Sequence, residues 1–270
     1  MPSTSSDTSS FVYPLYKFAF IPQMTEQLED LAKLAEPEDW SYQFTPSEYS
    51  KPILFNYIQY TFMRIQDEGK LAETGDKRYC CFNTGLVTEF QEPIFMVFEQ
   101  NFLKDDTRPW HFKKFAKKGD YELTKFTILP GMANYFDDPS LLVFDTRLEL
   151  RANYEHIISE NRERFPPKYN SMPMYGLQNL VKGAIESAKE RVTRNYKVAI
   201  PQYYRNKVQL LLPLCLEDPR KADLALVVAR YDREGNETTS FYRASTCLTL
   251  DMAYNNARLL ARPDRDWLQP

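Results

Sequence analysis

The sequence predicts an α+β fold, with a helical N-terminal portion over about 11–70 and a mainly antiparallel sheet with packed helices in the C-terminal half. Three observations carry this. Apolar residues at helical spacing dominate early, with Leu28, Leu31 and Leu34 on one side of 24–36 and Leu54, Tyr57, Ile58, Phe62 and Ile65 striping 52–68. Beyond about residue 195 the period shortens, and 198–204, 208–216, 224–230 and 238–244 read as strands whose short links favour antiparallel neighbours. The last helix, 248–260, has an apolar stripe of Leu250, Ala253, Tyr254, Ala257 and Leu260 that needs the sheet as its partner.

Taken in order, residues 1–10 read as a disordered Ser- and Thr-rich tail, and 11–270 as one α+β domain. Residues 11–21 are aromatic and extended, broken by Pro14 and Pro22. The helix at 24–36 is capped near Thr25, and Gly69 closes the one at 52–68. Paired strands follow at 78–82, 86–90 and 93–99, with Asn83-Thr84-Gly85 as the turn between the first two. The pattern over 100–140 is irregular, aromatic and lysine-rich. A helix at 146–163 carries His156 and stops at Pro166-Pro167. Another, 175–194, buries Leu177, Leu180, Val181, Ala184, Ile185, Ala188 and Val192. In the sheet, Arg205-Asn206, the 217–222 loop and 233–236 make the turns. The strands holding Leu210–Leu212 and Leu224–Val228 are apolar on both faces, which makes them central. Trp267 anchors the C-terminal tail. No internal repeat is visible.

A net charge of −3 and a pI near 5.6 exclude a global positive field, so any polyanion site must be local. Two histidines, His111 and His156, leave little for a His-based metal site. Cys80, Cys81, Cys215 and Cys247 contain no C-x-x-C pair, so buried free thiols in a reducing compartment are expected. No run of apolar residues is long enough to span a membrane, and no signal peptide opens the chain; a cytoplasmic protein without a membrane partner is expected. There is no Walker loop, G-x-S-x-G elbow, H-E-x-x-H or dinucleotide glycine fingerprint.

The chemistry-bearing constellation lies on the last helix. Asp251, Asn255 and Arg258 share a stripe at i, i+4 and i+7. Arg258 suits a phosphate fork, with Asp251 and Asn255 orienting it or reading sugar and base edges. An internal Asp–Asn–Arg network tying the helix to the sheet is the structural alternative. Further candidates are Asn83, Thr84 and Gly85 as a ligand-facing loop, Gln202 and Tyr203 as a base reader, and Tyr254 as a stacking ring. Trp110, Phe112 and Phe115 interleave with Lys113, Lys114, Lys117 and Lys118, which suits either a single-stranded nucleic-acid track or a solvated basic loop. His156 and Asp251 are the candidate acid or base of a catalytic reading.

Phe82-Asn83-Thr84-Gly85-Leu86, Leu211-Leu212-Pro213-Leu214 followed by Asp223-Leu224-Ala225-Leu226-Val227, and Leu248–Leu259 together resemble a family of uncharacterised bacterial domains. That family is often joined to OST-HTH (LOTUS) or cold-shock modules, and the resemblance covers about 40–268. It implies association with RNA or nucleotides. Lacking either module, this chain would bind through its own surface or through a separate RNA-binding protein. The expected function is therefore RNA or nucleotide binding with a phosphate site on the last helix and no evident cofactor. The alternatives are a nucleotide- or RNA-end-processing phosphoesterase or transferase using Mg²⁺, and a protein-interaction module in a defence or regulatory system.

Overall fold

A computed structural model describes residues 13–233, 239–263 and 268. The expected tail at 1–10, most of the turn at 233–236 and the Trp267 anchor fall outside the described residues. The fold is α+β, and its contacts divide the chain into two compact units. One comprises the chain up to Glu38 with Tyr49–Ala133; the other comprises Asp39–Glu48 with the chain from Asn134 onward.

The first unit contains α1 (Pro14–Phe18), β1 (Ala19–Phe20), α2 (Met24–Leu34), α3 (Pro52–Asp67), β2 (Ala72–Glu73), β3 (Tyr79–Val87), β4 (Pro93–Gln100) and β5 (Trp110–Lys117). Pro14 at the first helical turn starts α1 rather than breaking a strand, because that position needs no N–H. Gln23, in the left-handed region, precedes α2, so the expected cap near Thr25 is displaced. Phenylalanines hold α1 and α3 to the sheet: Phe18–Phe62, Phe62–Phe82 and Phe82–Phe98 rings lie 4.9, 5.5 and 6.1 Å apart.

The second unit contains β6 (Leu150–Ala152), α4 (Tyr154–Ser159), α5 (Met174–Arg194), β7 (Ile200–Tyr204), β8 (Lys207–Leu214), β9 (Leu224–Arg233), β10 (Thr239–Leu248) and α6 (Leu250–Arg258). The expected helix at 146–163 is a strand followed by a short helix. Leu148, Leu150 and Ala152 pack on the core at every second residue, and Asn153 then caps α4 by accepting the His156 N–H. The two-residue turn Arg205-Asn206, both with positive φ, joins β7 to β8 as expected of a tight hairpin. The apolar face of α5 packs on Leu210, Leu212, Leu214, Leu224, Leu226 and Val228. α6 lies against β7, β9 and β10.

Both sheets have the same order. In the first it is β1-β5-β4-β3-β2 and in the second β6-β10-β9-β8-β7. Each begins with an edge strand, passes through two helices, runs an antiparallel meander of four strands, and returns its last strand parallel to its first. The long second helix packs on the second meander strand in each, α3 on β3 and α5 on β8. The chain thus carries a repeat of topology that its residues do not display as a repeat of sequence.

Candidate functional site

α6 begins at Leu250, with the Thr249 hydroxyl accepting the Met252 N–H. Its polar stripe grips the segment 39–48. Asp251, 2% exposed, accepts the Gln43 and Phe44 N–H groups at 3.1 Å, one on each carboxylate oxygen. Asn255 Nδ2 donates to Tyr42 Oη at 2.6 Å. The Arg258 guanidinium stacks 4.9 Å from the centre of the buried Trp40 ring. Read from 251 to 258, the helix meets the segment in reverse order. A single stripe therefore holds one segment of chain, through two backbone amides, a phenol and an indole ring rather than through an internal Asp–Asn–Arg network. The tie goes to 39–48 rather than to the sheet.

The other candidates are also engaged. Gln202, 1% exposed, accepts from Asn256 Nδ2 at 3.1 Å and donates to Gln209 Oε1 at 2.9 Å, an amide chain beneath α6. Tyr203 Oη donates to Asn206 at 3.2 Å, and its ring meets Tyr135 edge-on at 4.8 Å. Tyr254 is buried. Asn83, Thr84 and Gly85 lie within β3, not at a turn: the register slips between Asn83 and Val87, and the reversal comes at 88–92. Gly85 takes the positive φ the bulge needs, its N–H donates to Asn83 Oδ1 at 2.9 Å, and Thr84 Oγ donates to the Ile94 carbonyl at 2.7 Å. These three belong to the first unit and the α6 stripe to the second.

Residues 110–117 form a strand, not an irregular loop, and Lys118 begins the turn after it. Trp110, Phe112 and Phe115 are core residues; a bulge at Lys113 shifts the alternation and hid the strand period. Lys113 pairs with Glu99 at 2.6 Å and Lys114 with Asp120 at 3.0 Å. The stacking rings of the expected nucleic-acid track thus face inward, and these two lysines already have carboxylates; Lys117 is half-buried and Lys118 exposed. His156 is exposed on α4. Among the described residues, no three His, Cys, Asp or Glu side chains gather as a metal site requires, and no helix is long and apolar enough to cross a membrane.

The four cysteines are free thiols, and Cys215, unlike the other three, is half-buried. Burial pushes Cys81 and Cys247 up to about 12. Cys215 opens on a cleft of about 360 Å³ in the second unit, between α5 and the chain from Pro213 to Pro219. That volume is at the lower end of the ~300–1,000 Å³ usual for small-ligand sites. One wall is Asn179, Gly183 and Ser187, stacked at four-residue intervals along α5; the other includes Pro213, Leu216 and Pro219. Arg191 stands at one end, Nη1 3.1 Å from Cys215 Sγ.

Two features of this cleft stand apart from packing needs. Burial raises the Cys215 pKa against the opposing pull of Arg191, with the Asp223 and Asp218 carboxylates adding to the rise, so the thiol keeps its proton at neutral pH and is itself no counter-charge to the guanidinium. The nearby acids have other bonds: Glu217 pairs with Lys168, Asp218 with Arg220, and Asp223 accepts the Leu216 N–H. Gly183 sits mid-helix, where glycine costs about 1 kcal/mol relative to alanine. A Cβ there would meet nothing within 4 Å. No neighbour in the protein demands its smallness, but open space above it is what a ligand needs. Neither Arg191 nor Gly183 stood out in sequence; a glycine inside an otherwise regular helical face was the available signal.

The chain is thus an α+β protein of two like-ordered five-stranded sheets. Over residues 31–267 it matches, and belongs to, the family described as domain of unknown function (DUF3825). No curated protein and no solved structure matches it.

Proposed function

We propose that the protein is a nucleotide- or RNA-binding module whose phosphate site is the α5 cleft rather than the α6 stripe. The observation that carries this is the Arg191 guanidinium: it borders an open cleft and is met there by a neutral thiol in place of a carboxylate. The RNA side of the proposal draws on the resemblance to bacterial domains joined to OST-HTH or cold-shock modules, and such a module on a separate protein is the partner it suggests. The free thiols fit a cytoplasmic setting. An end-processing enzyme drawing on Asp251 or His156 is the weaker reading, because both Asp251 oxygens already accept backbone N–H groups.

Titration of the full chain with 5′-phosphorylated oligoribonucleotides and nucleoside monophosphates tests the proposal. Arg191→Ala should weaken binding about tenfold or more, the scale of a charge-assisted hydrogen-bonded contact. Arg191→Lys should recover only part, since a point charge lacks the planar fork. The salt dependence of oligonucleotide binding should become shallower by about one unit of log–log slope. Undiminished binding by a folded Arg191→Ala protein would overturn the assignment.

A further inference from the structure

Cys80, Cys81 and Cys247 are buried, and Cys215 alone of the four thiols reaches the surface. It stands one residue beyond Leu214, where β8 ends, in the chain that forms one wall of the α5 cleft. The cleft points to a ligand on two grounds that do not involve the cysteine. It has room for a small molecule, about 360 Å³, and its α5 wall is open at Gly183, where a Cβ would meet nothing within 4 Å. It is also bordered by a guanidinium. Arg191 directs one N–H at Cys215 Sγ, 3.1 Å away, and its planar fork has further N–H groups with which to meet a carboxylate. A sulfur that can be bridged and a fork that binds anions therefore open on the same hollow.

We propose that Cys215 is a modification site for a low-molecular-weight thiol bearing a carboxylate, joined as a mixed disulfide, its carboxylate on Arg191 and its remainder in the cleft. Arg191 is shared with the phosphate reading above, but the adduct needs no nucleotide and so goes beyond that reading. The co-reactant is the small thiol's own symmetrical disulfide. The Cys215 thiolate attacks one of its sulfurs, a new S–S bond forms as the old one breaks, and the departing thiolate takes up the proton that Cys215 released. Cys215 is thereby oxidised and the departing half reduced. Burial, with Asp223 and Asp218, keeps the Cys215 thiol protonated while Arg191 opposes them, so exchange is slow at neutral pH and quickens as pH rises. Selectivity then comes from the cleft and the guanidinium rather than from an unusually reactive sulfur. Asn179 and Ser187, exposed on the α5 wall, offer an amide and a hydroxyl to a peptide-like thiol. The adduct's carboxylate occupies the place of a phosphate, which closes the site to nucleotides.

The test uses the full reduced chain with three disulfides: oxidised glutathione, its ester with the carboxylates capped, and neutral 2-hydroxyethyl disulfide. Peptide mass mapping reads each exchange rate, which is divided by the rate of 2-mercaptoethanol with the same disulfide to remove intrinsic differences. The folded protein should be modified at Cys215 and not at the buried cysteines, and dithiothreitol should release the adduct. The normalised rate should be about tenfold or more higher for oxidised glutathione than for its ester, the scale of one charge-assisted contact. Arg191→Gln should bring the two rates together, and because the ratio is taken within one protein a changed thiol pKa cancels. Cys215 left unmodified, or modified equally by oxidised glutathione and its ester, overturns the proposal, and this wild-type comparison decides alone should Arg191→Gln fail to fold. A preference that persists in folded Arg191→Gln overturns the role given to the guanidinium. Nucleotide titration of the reduced protein judges the phosphate reading separately, so its failure leaves the modification site standing. Where the reduced protein binds nucleotides, the glutathione adduct should bind them at least tenfold more weakly, and equal binding refutes the shared use of Arg191.

Discussion

Asp251→Ala should destabilise the protein by about 2–4 kcal/mol, since it removes the acceptor for two backbone N–H groups at once. A carboxylate in the first turn of a helix also favours the dipole, a smaller contribution that disappears with it. Asp251→Asn separates the terms: it keeps the shape and one acceptor oxygen but turns an NH₂ toward the second donor, so about half or more of the loss should persist. Urea unfolding gives the magnitude. Limited proteolysis localises it, because cleavage should accelerate within 39–48 when the amides of Gln43 and Phe44 lose their acceptor. A loss below about 1 kcal/mol, with no new cleavage there, would show that the strap is held by other contacts.

Gly85→Ala should cost about 2–4 kcal/mol, combining roughly 1–2 kcal/mol for a side chain in the left-handed region with overpacking against a buried ring. The φ of +75° and the 2.6 Å approach to Tyr57 Oη are separate penalties, and a second substitution divides them. In a Tyr57→Phe background the hydroxyl is gone, so Gly85→Ala should lose only the backbone part, and a double-mutant cycle should return a coupling of about 1 kcal/mol or more. Additive effects would mean that the ring yields freely and the conformation alone demands glycine.

Much of the fold was legible. The long helices α3 and α5 announced themselves by single apolar faces, and the last four strands by their shortened period and the Arg205-Asn206 turn. What misled was register rather than composition. A bulged residue, Lys113, broke the alternation of a strand into something irregular, and Gly85 at a bulge looked like a glycine at a turn. The parallel edge strand β6 is three residues long and passed for the start of a helix whose true cap is Asn153. For the site, the i, i+4, i+7 stripe of α6 correctly marked a shared polar face, but spacing alone does not say whether such a face meets a ligand or the protein's own backbone. The Arg191–Cys215 approach joins residues 24 apart with no local motif, so only coordinates bring it to view.

The segment 39–48 has one more consequence. It lies between pieces of the first unit in the chain, yet belongs to the second. Ribosomal synthesis therefore makes the strap roughly two hundred residues before the helix that receives it. A polypeptide cut to begin at Asn134 would carry every strand of the later sheet but none of the segment that Asp251, Asn255 and Arg258 hold. Such a fragment should show exposed apolar surface around α6, and adding a synthetic peptide spanning 37–50 should restore its melting temperature in a dose-dependent way.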